Sequence, residues 1–260
     1  MNTRLIVSLF PGIGLLERPF SDAGLPVLRG PDLLWGQSVE TFHLPRGLAW
    51  GILAGPPCQD FSAARRAKPS GHGRRMLAEL ARLIEEARPA WYLIENVPRV
   101  PDVRIDGYAW QRLPIDAASF TNVSRPRVIQ YGYTSGQPLQ IPARPRHPHP
   151  HPAVTTNDPR TVREIARLQG LPEDFQLPAF TVAGAKTAIA NGVPACIATA
   201  LALAIIQAHG LTNQAPDPTE TPPVPVRLCP CNCGAIINGP RTYATAACRK
   251  RAQRQRERTP

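Results

Sequence analysis

The chain has 260 residues, 43% of them hydrophobic, enough to bury one α/β domain of ordinary size with something small beside it. That composition excludes wholesale disorder, and 6 cysteines divided between two lone thiols and one C-terminal cluster exclude a small disulfide-framed secreted fold. The formal charge of +11 favours a polyanionic partner, of which nucleic acid is the commonest.

Residues 5–10 form a short apolar run of β-formers that breaks into Pro11-Gly12-Ile13-Gly14, as a buried strand entering a tight turn does. Pro11, Gly12 and Gly14 interrupt the apolar stretch, and no small-residue cleavage site follows, so a signal peptide is not expected. Residues 15–23 are expected as a helix and 26–29 as a second strand. Residues 48–54 read as another buried strand, ending in Gly55-Pro56-Pro57-Cys58-Gln59. Residues 74–88 carry Met76, Leu80, Leu83, Ile84 and Ala87 at helical spacing, with Glu79, Glu85 and Glu86 among arginines. Pro89 stops that helix, and residues 91–94 form a strand leading into Glu95-Asn96-Val97.

Strands alternating with helices imply an α/β fold with a mostly parallel sheet covered on both faces. Ligands bind beyond the carboxyl ends of such strands, where three of these loops lie. Residues 138–152 alternate proline with arginine and histidine and are expected to be extended, without a core of their own. Residues 161–169 and 193–207 are expected as helices, the second strongly apolar, and 213–225 as a proline-rich linker. No run reaches the length of a membrane span, so no membrane partner is expected and the protein is expected to be intracellular.

Cys58 at a strand end is either a nucleophile or an incidental small core residue, and its flanking prolines stiffen the loop and fix where the sulfur points. Glu95 ends a second strand. Carbon 5 of cytosine becomes reactive when a thiolate adds to carbon 6 and an acid stabilises charge at nitrogen 3, and a cysteine and a glutamate on neighbouring strand ends meet that need. The glycine pair after the first strand admits a ligand close to the backbone, although an ordinary turn reads the same way. Asp32, after the second strand, sits where an acid binds ribose hydroxyls, or is simply a loop aspartate after proline.

Phe10-Pro-Gly12-Ile-Gly14, then Gly55-Pro-Pro-Cys58-Gln59-Asp-Phe-Ser62, then Glu95-Asn-Val, in that order, resemble the motifs of cytosine-5 DNA methyltransferases. Arg125-Pro-Arg127 is similar to the family's Arg-x-Arg motif, residues 160–172 with Phe175 resemble the motif after the target-recognition region, and Asn191-Gly-Val-Pro194 resembles the last one. The resemblance runs from about residue 5 to 208 and implies a Rossmann-like class I methyltransferase sheet using S-adenosylmethionine. It implies Cys58 as the nucleophile on carbon 6, Glu95 holding nitrogen 3 and the exocyclic amine, and Arg127 steadying the same base. Phe10, Gly12, Gly14, Asp32, Pro56 and Asn191 are implied as cofactor contacts, and Gln59, Ser62, Arg125, Arg163 and Gln169 as substrate contacts. The substrate implied is a cytosine flipped out of duplex DNA, in a cytoplasmic, nucleoid-associated enzyme of a bacterium or phage, as in restriction-modification.

Ser8 departs from the family, standing where many members are acidic, as do Pro11 and Val123. Few residues lie between Tyr133 and Arg160, where the family inserts its recognition domain. The expected organisation is a catalytic domain at 1–133 completed by a helix at 186–209, a reduced recognition lobe at 134–185, a linker at 210–226 and a basic module at 227–260. In that module Cys229, Cys231, Cys233 and Cys248 are expected to hold a structural zinc, since Cys229 and Cys233 have an acceptable spacing. The arginine-rich end is expected to hold DNA without reading sequence, compensating for the missing domain. An RNA cytosine-5 methyltransferase and a catalytically weak DNA-binding relative fit the same features less well.

Overall fold

Strand β1 (Ile6–Leu9) is buried along its whole length, which is why its sequence is an apolar run and not an alternation. Its side chains divide by parity between the faces of the sheet: Val7 and Leu9 join one core cluster, Ile6 the other. The structure, a computed structural model, describes residues 4–211 apart from 64, 66, 67, 143 and 157, together with 227, 228, 236, 237 and 249. The chain divides into two units, Met1–Ala215 and Pro216–Pro260.

In the first unit, β1 lies between β2 (Val27–Arg29) and β3 (Gly51–Ala54), and β3 pairs with β4 (Trp91–Asn96), all in parallel. Two further strands, β5 (Ala109–Asp116) and β6 (Pro126–Tyr133), complete the order β2-β1-β3-β4-β6-β5. Both run antiparallel to their neighbours, so the sheet is a parallel half extended by an antiparallel hairpin. The sequence reading contained neither strand. Strand β5 interleaves polar residues and carries Pro114, tolerated because β5 is an edge strand.

Among the described residues five α-helices complete the unit: α1 (Arg18–Asp22), α2 (His72–Ala87), α3 (Val162–Leu168), α4 (Val182–Asn191) and α5 (Ala195–Ala208). Helix α2 covers one face, where Met76, Leu80, Leu83 and Ile84 pack with Val7, Ile52, Tyr92 and Ile94. Arg82 on this helix pairs with Glu79 and Glu86 and donates to the carbonyls of Val39 and Phe42, tying α2 to the short turn at Val39–Thr41. Phe20 of α1 and Ile197, Leu201 and Ile205 of α5 cover the other face over Ile6, Leu53, Trp91 and Leu93. Each such fully buried side chain contributes about 1.5–3 kcal/mol relative to its exposed state. A third cluster joins α3 and α4 to Leu15 through Ile165, Ile189 and Leu171.

Helix α1 is shorter than expected because residues 15–17 form turns. The apolar stretch expected as one helix is two, separated by Gly192-Val193-Pro194. By length and composition Val182–Ala208 is apolar enough to cross a membrane, contrary to the sequence reading. Most apolar residues of α5 pack on the sheet, while Leu203 is exposed. In the second unit, Arg227–Leu228 (β7) and Ile236–Ile237 (β8) pair antiparallel, and Arg249 is helical and exposed. Cys229, Cys231, Cys233 and Cys248, and the arginines beyond 249, lie outside the described residues.

Two glycines are required by space. A Cβ at Gly51 would lie 2.1 Å from the Trp91 ring, and one at Gly132 2.1 Å from the Tyr92 ring, with both rings fully buried. Gly51→Ala and Gly132→Ala should each lower stability by about 1–3 kcal/mol through overpacking. Denaturant unfolding checks this: the midpoint should fall while the slope stays constant, and an unchanged midpoint would refute the packing described.

Candidate active site

The loop after β1 holds three residues at positive φ: Phe10 (54°), Gly12 (55°) and Gly14 (87°). For phenylalanine this left-handed conformation is costly, and such strain concentrates at working sites. Asp32 fixes the loop from the end of β2. One carboxylate oxygen accepts from the Gly12 amide at 2.7 Å, and the other accepts from Leu34 at 2.7 Å, capping the short turn Leu33–Trp35. Trp35 Nε1 donates to the Gly12 carbonyl at 2.8 Å, and its ring meets Phe180 edge-on at 6.0 Å. Both polar groups of Gly12 are therefore held from beyond β2. A Cβ at Gly12 would meet nothing within 4 Å, so glycine is needed there for conformation, not for space.

Strand β3 ends in the Cys58 loop, and β4 beside it ends in Glu95 and Asn96. Asn96, 2% exposed, donates from Nδ2 to the Pro56 carbonyl at 2.9 Å, while its Oδ1 accepts from Val97 at 2.8 Å. Beyond Cys58, Asp60 accepts from the amides of Gly73 and Ser70, both at 2.9 Å, and pairs with Arg65 at 2.6 Å. The Gly73 and Ser70 amides hold its carboxyl down at about 2. That aspartate connects the Cys58 loop to the start of α2.

Cys58 and Glu95 line one cavity of about 420 Å³, with Phe10, Gly12, Asp32, Pro56, Gln59 and Asn191 also in its walls. Leu33, Leu34 and Phe180 supply apolar lining. A volume of this size suits a small organic ligand. Arg127 of β6 pairs through Nε with Glu95 Oε1 at 2.7 Å, with only 13% and 8% of the two side chains exposed. This ion pair reaches across the β4–β6 register, where Glu95 lies opposite Ile129. Burial pushes the Cys58 thiol above its ordinary value; the Arg127 charge pulls it down, Glu95 pushes it up, and Arg125 pulls it down. The arrangement is a thiol and a carboxylate lining one cavity, with a cation fixed on the carboxylate.

Other sequence-predicted residues have different surroundings. Gly14 stands against Arg29 and Glu17, lining a neighbouring hollow and not this cavity. Ser62 is half-buried in the loop after Cys58, where its carbonyl accepts from the Arg65 amide. Arg125 is buried, donating to the carbonyls of Val154, Ala190 and Gly192. Burial, and then the neighbouring Arg127, brings Arg125 down to about 9. Gln169 is buried too and donates to the Ile189 carbonyl at 2.7 Å. These two side chains satisfy the carbonyls at the α4–α5 break, behind the cavity wall. Arg163 is exposed on α3. Among the described residues no group of three or more His, Cys, Asp or Glu is placed to hold a metal ion.

Sequence reasoning missed Asn96, Asp60, Trp35 and Phe180. Asn96 was visible inside the Glu-Asn-Val motif but without a role, and Asp60 had a signal in its position two residues after the cysteine. The Trp35–Phe180 contact joins distant segments and has no local signature.

Residues 37–112 match the profile of the C-5 cytosine-specific DNA methylase family. The chain is 26% identical over 148 residues to Type II methyltransferase M.HgiDI of Herpetosiphon aurantiacus, covering 43% of this chain and 46% of that protein. It thus spans under half the length of that relative. It is 43% identical over 115 residues to Type II methyltransferase M.HgiGI of the same organism, covering 36% of this chain and 90% of that protein. Its fold matches the Entamoeba histolytica methyltransferase EhMeth with a TM-score of 0.60 at 11% identity, covering 78% of this chain and 97% of the other.

The electrostatics of the cavity have a measurable consequence. Alkylation of Cys58, followed by peptide mass spectrometry, tracks its thiolate, which is absent below the thiol pKa and fully formed above it. The midpoint should lie above that of an exposed cysteine, and Arg127→Gln should move it higher still, because the lowering charge is removed. A midpoint that falls in Arg127→Gln would contradict the geometry.

Proposed function

The chain belongs to the C-5 cytosine-specific DNA methylase family, and on that premise we propose that it is a DNA (cytosine-5-)-methyltransferase acting on a cytosine flipped out of duplex DNA. The observation that carries this reading is the convergence of Cys58 and Glu95 on one cavity, with Arg127 paired to the acid. A cytosine inside a stacked duplex is out of reach of a thiol set in a cavity, so the base has to leave the stack.

S-adenosylmethionine supplies the activated methyl group when bound. The cavity fits it: the 420 Å³ space has an open backbone at Gly12, a carboxylate at Asp32 and apolar walls at Leu33, Leu34 and Phe180. Phe10, Gly12, Asp32, Pro56 and Asn191 would hold it, with Gly14 supporting the loop from behind.

The chain's own residues then carry the chemistry. The Cys58 thiolate bonds to carbon 6, and the displaced electron pair makes carbon 5 nucleophilic. Glu95 holds nitrogen 3 and the exocyclic amine, and Arg127 fixes the carboxyl and steadies the base. After carbon 5 gains its methyl and loses its proton, the bond from Cys58 to carbon 6 breaks and the ring is restored. Gln59 and Ser62, in the nucleophile loop, and exposed Arg163 are assigned to the DNA side.

The Type II methyltransferase names of the two relatives support a modification role in the cytoplasm. Residues 134–185 are assigned as a reduced recognition lobe and 227–260 as a basic tail that holds the duplex. On sequence spacing alone, Cys229, Cys231, Cys233 and Cys248 are assigned to a structural zinc in that tail.

Transfer of labelled methyl from S-adenosylmethionine to duplex DNA and to structured RNA tests the reading. Incorporation at cytosine carbon 5 of DNA is expected, abolished by Cys58→Ala and reduced about 10²–10⁴-fold by Glu95→Gln, the range for loss of an acid–base group. Incorporation into RNA alone, or activity that survives in Cys58→Ala, would overturn it.

A further inference from the structure

From residue 117 to residue 157 the chain contains no aspartate or glutamate. The described residues of its Pro-, His- and Arg-rich part form no helix and no strand, yet they are pinned at several points. His147 N donates to the Ala118 carbonyl at 2.7 Å, His151 N to the Asn122 carbonyl at 2.6 Å, and Ser124 N returns to the His151 carbonyl at 2.9 Å. Arg146 pairs with Asp116 at 3.0 Å and donates to Ser124 Oγ at 2.8 Å, while the Arg144 guanidinium lies 5.5 Å over the Phe120 ring. The result is a strap held against the segment that connects β5 to β6.

Both arginines lean back on the connecting segment, through Asp116 and Phe120, and still keep solvent-exposed surface. Arg144, Arg146, His147, His149 and His151 are all exposed. Among the described residues the only carboxylate paired with the strap is Asp116, which also accepts from the amides of Ala118 and Arg125. Asp116 also lines a surface hollow shared with Arg127, the cation paired to Glu95. Through Asp116 the strap is thus tied to the wall of a hollow that Arg127 also lines. Alternating prolines restrict the backbone, so its charges lose little freedom on meeting a partner.

We infer that this strap is a duplex-DNA contact surface, on which Arg144 and Arg146, flanked by the three histidines, hold the phosphates beside the target cytosine. It rests on the reading of the chain as a duplex-DNA methyltransferase. Charge complementarity selects the partner: two exposed arginines in a stretch without acidic residues suit a phosphate backbone and read no bases. The strap positions DNA where a folded recognition domain is missing, and it belongs to the same unit as the cavity.

The test uses the full chain and a random-sequence duplex, with affinity measured by anisotropy across a salt series. The double variant Arg144→Gln/Arg146→Gln should flatten the plot of log affinity against log salt by about 2, one per lost phosphate contact. Arg144→Lys/Arg146→Lys should restore most of the slope, because charge and not shape is at work. S-adenosylhomocysteine binding should be unchanged in both variants. A glutamine variant with wild-type slope, or a lysine variant as weak as the glutamine one, overturns the inference while leaving the enzyme's reaction untouched. A wild type that binds S-adenosylhomocysteine but no duplex overturns the duplex-DNA reading and the strap with it.

Discussion

A single buried hydrogen bond, from Asn96 Nδ2 to the Pro56 carbonyl, ties the end of β4 to the loop that leaves β3. It ties the strand that carries Glu95 to the loop that carries Cys58. Parallel, in-register pairing of β1, β3 and β4 brings three loops to one edge of the sheet, but strand pairing stops before the loops begin. Beyond that point the loops need their own ties. Asn96 provides one, Asp32 a second by holding the Gly12 amide, and Asp60 a third by joining the nucleophile loop to α2. Each is a side chain that accepts or donates to backbone, the kind of bond that fixes a loop without closing the cavity it borders.

The buried charges follow from the same geometry. Arg127 offsets burial at Cys58 and pairs with Glu95, so one guanidinium serves both groups of the proposed chemistry. Two residues earlier on the chain, Arg125 turns to the carbonyls at the α4–α5 break, where Gln169 also donates. Alternation along an extended segment does not separate these two arginines, since both stand at odd positions of the same run. Their partners separate them: a carboxylate for one, carbonyls for the other.

Much of the parallel half of the sheet was legible in the sequence, because β1, β3 and the first four residues of β4 are apolar runs and each strand is followed within two residues by glycine or proline. Cys58 and Glu95 stood out because reactive side chains at such ends are chemically meaningful, and both line the cavity. Strands β5 and β6 were not legible: Arg112, Pro114, Arg127 and Gln130 disguise a hairpin whose central strand is buried only because β4 and β5 flank it. Arg125 and Gln169 carried family motifs but not their surroundings, for a side chain's partners at the α4 terminus depend on a chain break that sequence periodicity hides. The proline–histidine segment was read as extended and without a core of its own. That it is pinned to residues 116–124 depends on backbone hydrogen bonds, which leave no mark on composition.

The central claim is that the cavity shared by Cys58 and Glu95 is where carbon 6 of cytosine is attacked. A duplex with 5-fluorocytosine in place of cytosine tests it most directly, because fluorine at carbon 5 blocks the final proton loss and preserves the bond to sulfur. Incubated with S-adenosylmethionine and mapped by mass spectrometry, the protein should carry the modified base on Cys58 and not on half-buried Cys196. Methyl transfer to ordinary DNA without any adduct on Cys58 would contradict the account.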